Sequence, residues 1–448
     1  MSRTLAIPVR SELAARPATA WFVVAFLVLA YVLSYVDRTI ILLLVGPIRA
    51  DLGISDTQFS LLQGFAFAVL YTLAGIPIAA LADRFDRARI IATGIGFWGI
   101  MTVLCGYAGT FWQLFAARVG VGIGEAALSP PAYSLITDLA PRRQLGRALA
   151  AYNVAVYVGI GCTFVVGGWL VDTLVAAGGV SWPWLAGFAP WQQVMILVGL
   201  PGIPMAIIAF AMLPEPRRAT ARSAERARSQ PLLPFMVENR KFLLALFAGF
   251  AFVSLLFNGY LAWLAEYFLR AHGWSKSQTG FWIGVVMLVC GPLGLAASGW
   301  ATDTLLKTRP LSAPVHVGFW GAVALLPWPM WATVVADPWL GLCGIAFIIL
   351  FSCFCFGPAV VAIQLASPPG LRARVSAVYL FAMNLAGIGA GGTLIAAVSD
   401  HVLRDEARIG DAMALVGSAA VLLGVLFLWA ARRLIVHQEA RGEPPPTR

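Results

Sequence analysis

The chain contains twelve apolar stretches long enough to cross a membrane, and this feature most narrows the folds it can adopt. A spanning helix needs about 20 mostly apolar residues, and only helices or closed barrels pair every backbone group within lipid. The stretches cover residues 20–49, 57–82, 90–109, 111–138, 144–171, 191–213, 241–271, 277–302, 313–335, 339–366, 373–399 and 411–436. A barrel would show alternating segments of about ten residues instead. We therefore predict an all-α membrane protein with twelve transmembrane helices.

Basic residues are distributed unevenly between the two ends of these spans. Of 31 Lys and Arg residues, 24 lie in loops or span ends on the side of both termini, five lie in loops or span ends on the opposite side, and two, Arg38 and Arg118, lie deep within spans. Cytoplasmic loops carry such an excess of Lys and Arg, so we predict that both termini are cytoplasmic. The net charge of +10 then reflects membrane topology, and we expect membrane lipids rather than nucleic acid as partners. Only three of the 31 residues are lysine, which is typical of GC-rich bacterial genomes.

Short segments recur in the two halves of the chain. Residues 79–89 (AALADRFDRAR) and 299–309 (GWATDTLLKTR) share an acidic and a basic residue four positions apart, and the copies are separated by 220 residues. Residues 131–152 and 358–379 share seven identical residues at a separation of 227. This duplication predicts two pseudo-symmetric six-helix bundles. The predicted parts are a cytoplasmic tail (1–19), the N-terminal bundle (20–213), a cytoplasmic linker (214–240), the C-terminal bundle (241–436) and a second cytoplasmic tail (437–448).

Four charged residues lie deep inside apolar spans: Asp37 and Arg38 in the first, and Arg118 and Glu125 in the fourth. A charge at the middle of a membrane costs about 2.5–3.5 kcal/mol on insertion scales. Arg118 and Glu125 are seven residues apart, which is two helical turns and nearly one helix face. Because the four charges sum to zero, we predict a mutually neutralising cluster. The glycines between Arg118 and Glu125 would let another helix approach closely.

We interpret this cluster as an ion-coupling site. The four histidines fall near span ends or in loops, so carboxylates must carry the protons if protons drive the protein. Burial disfavours a charged carboxylate and a nearby Arg favours it. The hypothesis assigns proton coupling to Asp37 and Glu125, with Arg38 and Arg118 as counter-charges and ligands of a substrate head group. The alternative is a static ionic network that holds the first and fourth helices together.

Charged residues also gather at the predicted cytoplasmic ends of the spans. They are Asp83, Arg84, Arg87, Asp138, Arg142, Arg147 and Asp303. Pairing between such charges would hold the cytoplasmic helix ends together, and we predict a cytoplasmic gate there. The alternative is that these charges only fix the orientation of the chain in the membrane.

The C-terminal half carries aromatic and amide side chains within its spans. The candidate cavity residues are Phe257, Asn258, Trp263, Phe356, Tyr379 and Asn384. One charged half and one apolar half would suit an amphipathic solute, although aromatic stripes more often serve packing. Glu266 and Arg270 form an i, i+4 pair near the opposite end of the seventh span, either as a gate or as a structural bridge.

The duplicated loop motif, the two six-helix halves and the topology resemble the major facilitator superfamily over the whole chain. Within it, YVDRTI in the first span and GIGEAALSPPAYSLITD in the fourth resemble the spinster-type branch, whose members transport lipid-like solutes. The loop motif departs from the usual pattern at Ala79, Asp86 and Ala88. In this fold the two halves alternately open a central site to each side of the membrane.

From these observations we expect a proton-coupled secondary active transporter of an amphipathic, lysolipid-like solute in a bacterial inner membrane, acting as a monomer. The nearest alternative is a transporter of small organic anions or drugs on the same fold. We expect no enzyme, because the spans contain no H-E-x-x-H or G-x-S-x-G and the chain has no P-loop motif. No metal and no cofactor are expected, since all six cysteines lie in apolar spans.

Overall fold

The computed structural model describes residues 17–141, 144–180, 182–215, 232–368 and 371–440, and within these ranges it contains helices and no β-strand. The α-helices are α1 (Pro17–Thr39), α2 (Val45–Leu52), α3 (Asp56–Ser60), α4 (Ala66–Arg84), α5 (Arg87–Gly106), α6 (Phe111–Glu125), α7 (Ser129–Leu139), α8 (Leu145–Cys162), α9 (Gly168–Ala176), α10 (Pro190–Gly199), α11 (Gly202–Met212), α12 (Leu232–Glu238), α13 (Arg240–His272), α14 (Lys276–Leu306), α15 (Ala313–Leu325), α16 (Trp328–Val334), α17 (Pro338–Ala366), α18 (Arg372–Asn384), α19 (Gly391–Ala397) and α20 (Ile409–Ala440). Short 3₁₀ segments cover Ile40–Leu43 and Glu406–Arg408, and π segments cover Leu61–Phe65, Thr163–Gly167, Leu385–Ala390 and Val398–Leu403. The all-α prediction is confirmed.

Within the described ranges, eleven helical segments are long and apolar enough to cross a membrane. The predicted span at 111–138 is the exception, because a turn at residues 126–128 divides it into α6 and α7. The two prolines at 130 and 131 explain the break, since proline has no amide hydrogen and its ring clashes with the preceding turn of a continuous helix. Proline is tolerated in the first turn of a helix, and α7 begins at Ser129. With α6 and α7 counted as one span, the predicted twelve-helix architecture is confirmed.

The first predicted span also ends earlier than expected. It was placed at residues 20–49, but the membrane-length segment ends at Leu43 and residues 45–52 form the separate helix α2. In a continuous helix Pro47 would have to donate a hydrogen bond to the carbonyl of Leu43, and proline has no hydrogen to donate. The chain therefore starts a new helix with Pro47 in its first turn.

The chain packs as two compact units. Unit 1 contains the described residues of 1–41, 70–163 and 170–219, and unit 2 those of 42–69, 164–169 and 220–448. In unit 1, α5 packs against α6, α10 and α11, and α1 packs against α8. In unit 2, α13 packs along α20, and α17 packs against α14 and α15. The predicted division into two bundles at residues 214–240 remains a prediction.

The contact between α5 and α6 in unit 1 is unusually close, and glycine makes it possible. A methyl group added at Gly124 would lie 2.8 Å from the backbone nitrogen of Trp98. One added at Gly120 would lie 2.6 Å from the sulfur of Met101. The absence of a side chain at these two positions lets α6 lie directly against α5, as expected for small residues at membrane helix contacts.

Candidate functional site

The four deep charges predicted from the sequence come together in unit 1, where we call Asp37, Arg38, Arg118 and Glu125 the central cluster. Helix α1 supplies Asp37 and Arg38 near its carboxyl end, and α6 supplies Arg118 and Glu125 two turns apart. Asp37 and Arg118 are fully buried, Glu125 is 1% exposed, and only the Arg38 side chain keeps some exposure, at 12%. The sequence prediction that these residues form one cluster agrees with this placement.

Arg38 and Glu125 form a buried ion pair. The Arg38 Nη2 and Nε atoms donate to the Glu125 Oε2 atom at 2.5 and 3.1 Å. The Ser34 hydroxyl, one helical turn before Arg38, donates to the same oxygen at 2.8 Å. The guanidinium carbon also lies 4.6 Å from the ring centre of Tyr35 and 5.1 Å from that of Tyr71. Charged hydrogen bonds and aromatic faces together replace the water that this ion pair has lost.

Asp37 points away from this pair, as expected for neighbouring residues that differ by about 100° on a helix. Its Oδ2 atom accepts a hydrogen bond from the Thr102 hydroxyl of α5 at 3.4 Å. Its Oδ1 atom has no hydrogen-bond partner among the described residues, and neither has the buried Oε1 atom of Glu125 or the indole nitrogen of Trp98. A buried polar atom without a partner is costly. The cluster therefore holds two carboxylate oxygens that could accept a proton or a hydrogen bond.

Arg118 contacts the end of α1. Its Nη1 atom donates a hydrogen bond to the main-chain oxygen of Asp37, and its Nη2 atom donates one to that of Arg38, both at 3.5 Å. These carbonyls belong to the last turn of α1, where helices carry partial negative charge and unsatisfied acceptors. Arg118 thus fixes the carboxyl end of α1, beyond the counter-charge role predicted for it.

A second group of charges lies in unit 1 around the amino end of α5, and we call Arg87, Ser134, Asp138 and Glu215 the Arg87 cluster. Arg87 is 1% exposed, and its Nη1 atom donates to the Asp138 carboxylate at 2.6 Å and the Ser134 hydroxyl at 2.7 Å. The Arg87 Nε atom donates to Glu215 at 2.9 Å, and the Glu215 carboxylate also accepts the Arg87 amide at 2.8 Å. A carboxylate at a helix amino end satisfies free amides and the helix dipole.

Among the predicted gate residues, the structure brings Arg87 and Asp138 together. Arg147 lies exposed in unit 1 and Asp303 lies exposed in unit 2. Arg142 and the side chains of Asp83 and Arg84 fall outside the described part of the chain.

Glu215 was not predicted, although an acidic residue directly after the sixth span is the signal that could have identified it.

A third group of charges lies in unit 2, where we call Arg49, Asp56, Glu266, Arg270 and Glu406 the Asp56 cluster. Asp56 is fully buried and pairs with both arginines: Arg49 Nη1 lies at 2.8 Å from Oδ1 and Arg270 Nη1 at 2.6 Å from Oδ2. Arg270 Nε donates to Glu266 at 3.0 Å, and Arg49 donates to the two oxygens of Glu406 at 2.6 and 2.9 Å. The hydrogen bonds with Glu406 are the largest cause of the raised pKa of Arg49.

The Asp56 cluster joins segments that are far apart in the sequence. It ties residues 49–56, which precede the predicted linker, to residues 266–270 and 406, which follow it. A further contact of the same kind is made by Thr57, whose amide and hydroxyl donate to Asp400 at 2.8 and 2.7 Å. The sequence predicted only the pair of Glu266 and Arg270, because no local pattern indicated the partners at 49, 56 and 406.

The predicted cavity residues have varied surroundings in unit 2. Phe257 and Phe356 meet edge to face at 5.5 Å, and Asn384 is partly buried at the end of α18. The Asn258 amide donates to the Ser254 carbonyl one turn earlier at 3.0 Å. Trp263 is 1% exposed and donates to the Gly392 carbonyl at 2.9 Å, and Tyr379 is 3% exposed beside Phe247 at 5.5 Å.

Eleven membrane-length segments in the described part of the chain place it among multi-pass membrane proteins. The sequence model of the Major Facilitator Superfamily matches residues 27–391. The chain therefore belongs to this family.

Individual relatives extend this finding. The chain is 28% identical over 432 residues to an MFS-type efflux pump of Mycolicibacterium smegmatis, covering 95% of this chain and 96% of that protein. It is 28% identical over 324 residues to Protein spinster of Drosophila melanogaster, covering 69% of this chain and 50% of that protein. It is 27% identical over 291 residues to the "Probable L-galactonate transporter" of Escherichia coli, covering 62% of this chain and 60% of that protein.

A solved structure is also similar over nearly the whole chain. It is the crystal structure of a bacterial homolog to the human lysosomal transporter spinster, in an inward-facing and unoccupied conformation. The TM-score is 0.77 at 26% identity, with 94% of this chain and 99% of that chain covered. The resemblance to the major facilitator superfamily and to spinster-type proteins is thus confirmed.

We expect the ion pair of Arg38 and Glu125 to behave as one unit in stability measurements. Arg38→Gln leaves a buried carboxylate without its counter-charge, which costs about 3–5 kcal/mol when such a pair is broken. Removing both charges in Arg38→Gln with Glu125→Gln should cost less than the sum of the single changes. The midpoint of thermal unfolding of the purified protein measures these effects.

The control for this cycle is Arg89→Gln. Arg89 is 75% exposed and lies 3.5 Å from Asp86, and exposed ion pairs contribute little, so the midpoint should not change. Strictly additive effects of Arg38→Gln and Glu125→Gln would show that the two side chains are not energetically coupled.

Proposed function

We propose that the protein is a proton-coupled secondary active transporter that moves an amphipathic, lysolipid-like solute by alternating access. The observation that carries the proposal is the central cluster, in which two buried carboxylates each keep one oxygen without a hydrogen-bond partner among the described residues. Buried ionisable groups in membrane spans usually lie on ion or substrate pathways. The protein would act as a monomer in a bacterial inner membrane with both termini in the cytoplasm.

The two carboxylates have different surroundings, and this difference suggests how a proton is used. Glu125 receives two hydrogen bonds from Arg38 and one from Ser34, which favours its ionised form. Asp37 receives one long hydrogen bond from Thr102 in a fully buried position, which favours the neutral form because burial disfavours an unpaired charge. We assign the proton to Asp37 in this state and the negative charge to Glu125.

Arg38 is the group of the central cluster that a substrate could reach. Its side chain is 12% exposed, whereas Arg118 is fully buried against the end of α1. An anionic head group that binds Arg38 would compete with Glu125 for the guanidinium, and Glu125 would then be driven to take up a proton. Coupling follows because substrate and proton both change the relative free energies of the same conformations.

The lysolipid assignment is supported by the similarity to spinster-type proteins and by the aromatic residues in the C-terminal half. A second candidate is a small organic anion such as a sugar acid, which the similarity to the L-galactonate transporter supports. Arg38 would suit either substrate, since a guanidinium binds carboxylate and phosphate oxygens in pairs. The two candidates differ in whether flux requires an acyl chain on the solute.

We expect Asp37→Asn and Glu125→Gln to abolish uptake driven by a pH gradient, because an amide cannot take up or release the proton. The measurement is uptake of fluorescent lysolipids and of labelled sugar acids into proteoliposomes, with and without an imposed gradient. Asp86→Asn is the matched control, because Asp86 caps α5 through the Arg89 amide and Asn caps a helix equally well.

Gradient-driven uptake that survives in both variants would contradict the proton assignment. Uptake of sugar acids without uptake of lysolipids would replace the first substrate candidate by the second.

We further propose that the Asp56 cluster is a gate on the side of the membrane opposite the termini. Breaking it would free residues 49–56 from residues 266–270 and 406. Asp56→Asn leaves Arg49 and Arg270 side by side without the carboxylate that pairs with both. We expect this variant to populate a state in which these segments separate.

Electron spin resonance between labels at positions 50 and 402 can measure this separation. Both residues are exposed and lie in unit 2, so labels introduced in a cysteine-free background should not disturb packing. The distance distribution should become longer and broader in Asp56→Asn and stay unchanged in Asp411→Asn, whose carboxylate pairs with Arg408 outside the cluster. If the distances between the two labels are unchanged in Asp56→Asn, the Asp56 cluster is a static structural bridge and not a gate.

A further inference from the structure

A groove of about 250 Å³ lies in unit 2 between α14, α15 and α17, and none of its lining residues belongs to the three ionic clusters. Its lining is almost entirely apolar. The lining residues are Ala301, Leu305, His316, Val317, Trp320, Gly321, Phe351 and Phe354. The Trp320 side chain is 58% exposed, and aromatic residues of this kind concentrate where a membrane helix meets the head-group region.

One end of the groove carries two arginines. Arg309 Nη1 donates to the Nε2 atom of His316 at 2.7 Å, and the other ring nitrogen of His316 lies 3.0 Å from the Ser312 carbonyl. Since arginine cannot accept, this geometry assigns the hydrogen of a neutral His316 to Nδ1. The guanidinium of Arg432 lies over the aromatic face at this end, 5.1 Å from the Phe319 ring centre and 5.9 Å from that of Trp320.

The nearby acid, Glu439, hydrogen-bonds to the start of α15 instead of forming an ion pair with either arginine. The Glu439 carboxylate accepts the Ser312 hydroxyl at 2.5 Å and the Leu311 amide at 3.3 Å. Among the ion pairs of the described residues, none involves Arg309 or Arg432. The guanidinium groups of Arg309 and Arg432 therefore lie at one end of an apolar groove. The Glu439 carboxylate beside them accepts hydrogen bonds from residues at the start of α15.

We propose that this groove is a binding site for an anionic glycerophospholipid of the leaflet that faces the C-terminus. The phosphate would lie between Arg309 and Arg432, and one acyl chain would follow the groove past Leu305 and Phe351. Charge complementarity selects this occupant, since basic pockets between membrane helices bind anionic head groups. A neutral lipid would fill the groove but would leave the two guanidinium groups without an anion.

The site is distinct from the transport site. It contains no residue of the central cluster, which lies in unit 1, and none of the predicted cavity residues lines it. Occupancy of the groove is therefore independent of the proposed solute, and a failed transport assay would leave this inference in place.

The test is native mass spectrometry of the purified full-length protein with phosphatidylglycerol and with phosphatidylcholine of the same acyl chains. The wild type should retain phosphatidylglycerol in preference to phosphatidylcholine. In the variant with both Arg309→Gln and Arg432→Gln, the ratio of retained phosphatidylglycerol to retained phosphatidylcholine should fall at least tenfold. Both arginines are at least partly exposed, so this variant should remain folded, which its unfolding midpoint checks.

Two further variants locate the lipid. Arg433→Gln is the matched control, because Arg433 lies next in sequence but stacks on Trp429 at 3.8 Å, and it should keep the preference. Ala301→Trp should reduce binding of both lipids by filling the groove while leaving the arginines in place.

Three results would overturn the proposal. One is equal retention of the two lipids by the wild type, and another is an equal loss in Arg433→Gln and in the double variant. The third is displacement of phosphatidylglycerol by inorganic phosphate alone, which would make the basic end a site for free phosphate.

Discussion

The structure depends on the need to neutralise charge where no water is present. A single charge deep in a membrane span costs about 2.5–3.5 kcal/mol on insertion scales, and unit 1 buries four of them in the central cluster. The Arg38 and Glu125 pair meets this need through three hydrogen bonds and two tyrosine faces. Asp37 meets it differently, because its carboxylate has one long hydrogen bond and one oxygen with no partner among the described residues.

This arrangement is possible only because α6 approaches its neighbours closely. Gly124 leaves no room for a methyl group beside Trp98, and Arg118 reaches the last carbonyls of α1. The glycines of α6 and its one arginine, Arg118, thus have complementary roles. The glycines bring the helix against α5, and Arg118 positions the turn that carries Asp37 and Arg38. A transporter that alternates between states needs such discrete contacts, since packed cores exchange between arrangements rather than deform continuously.

Most of the helical spans could be predicted from the sequence, because the length of an apolar stretch is a local property of the chain. The central cluster could also be predicted, since four deep charges that sum to zero have few other partners. The sequence did not indicate which arginine pairs with which carboxylate in the central cluster, nor the hydrogen bonds from Ser34 and Thr102.

The Asp56 cluster was not predicted except for Glu266 and Arg270, because its members are up to 357 residues apart and no local spacing connects them. The helix break before Ser129 is marked by the prolines at 130 and 131, and the break before Val45 by Pro47. Apolar length and periodicity alone did not predict these two breaks.

The central claim is that Asp37 carries a proton while Arg38 holds Glu125 ionised. Infrared difference spectroscopy of the purified protein across a pH titration tests it directly, because a protonated carboxyl group absorbs separately from a carboxylate. The account predicts a protonated-carboxyl band that disappears in Asp37→Asn and persists in Glu125→Gln. A band that persists in Asp37→Asn and disappears in Glu125→Gln would contradict it and would transfer the proton to the residue that pairs with Arg38.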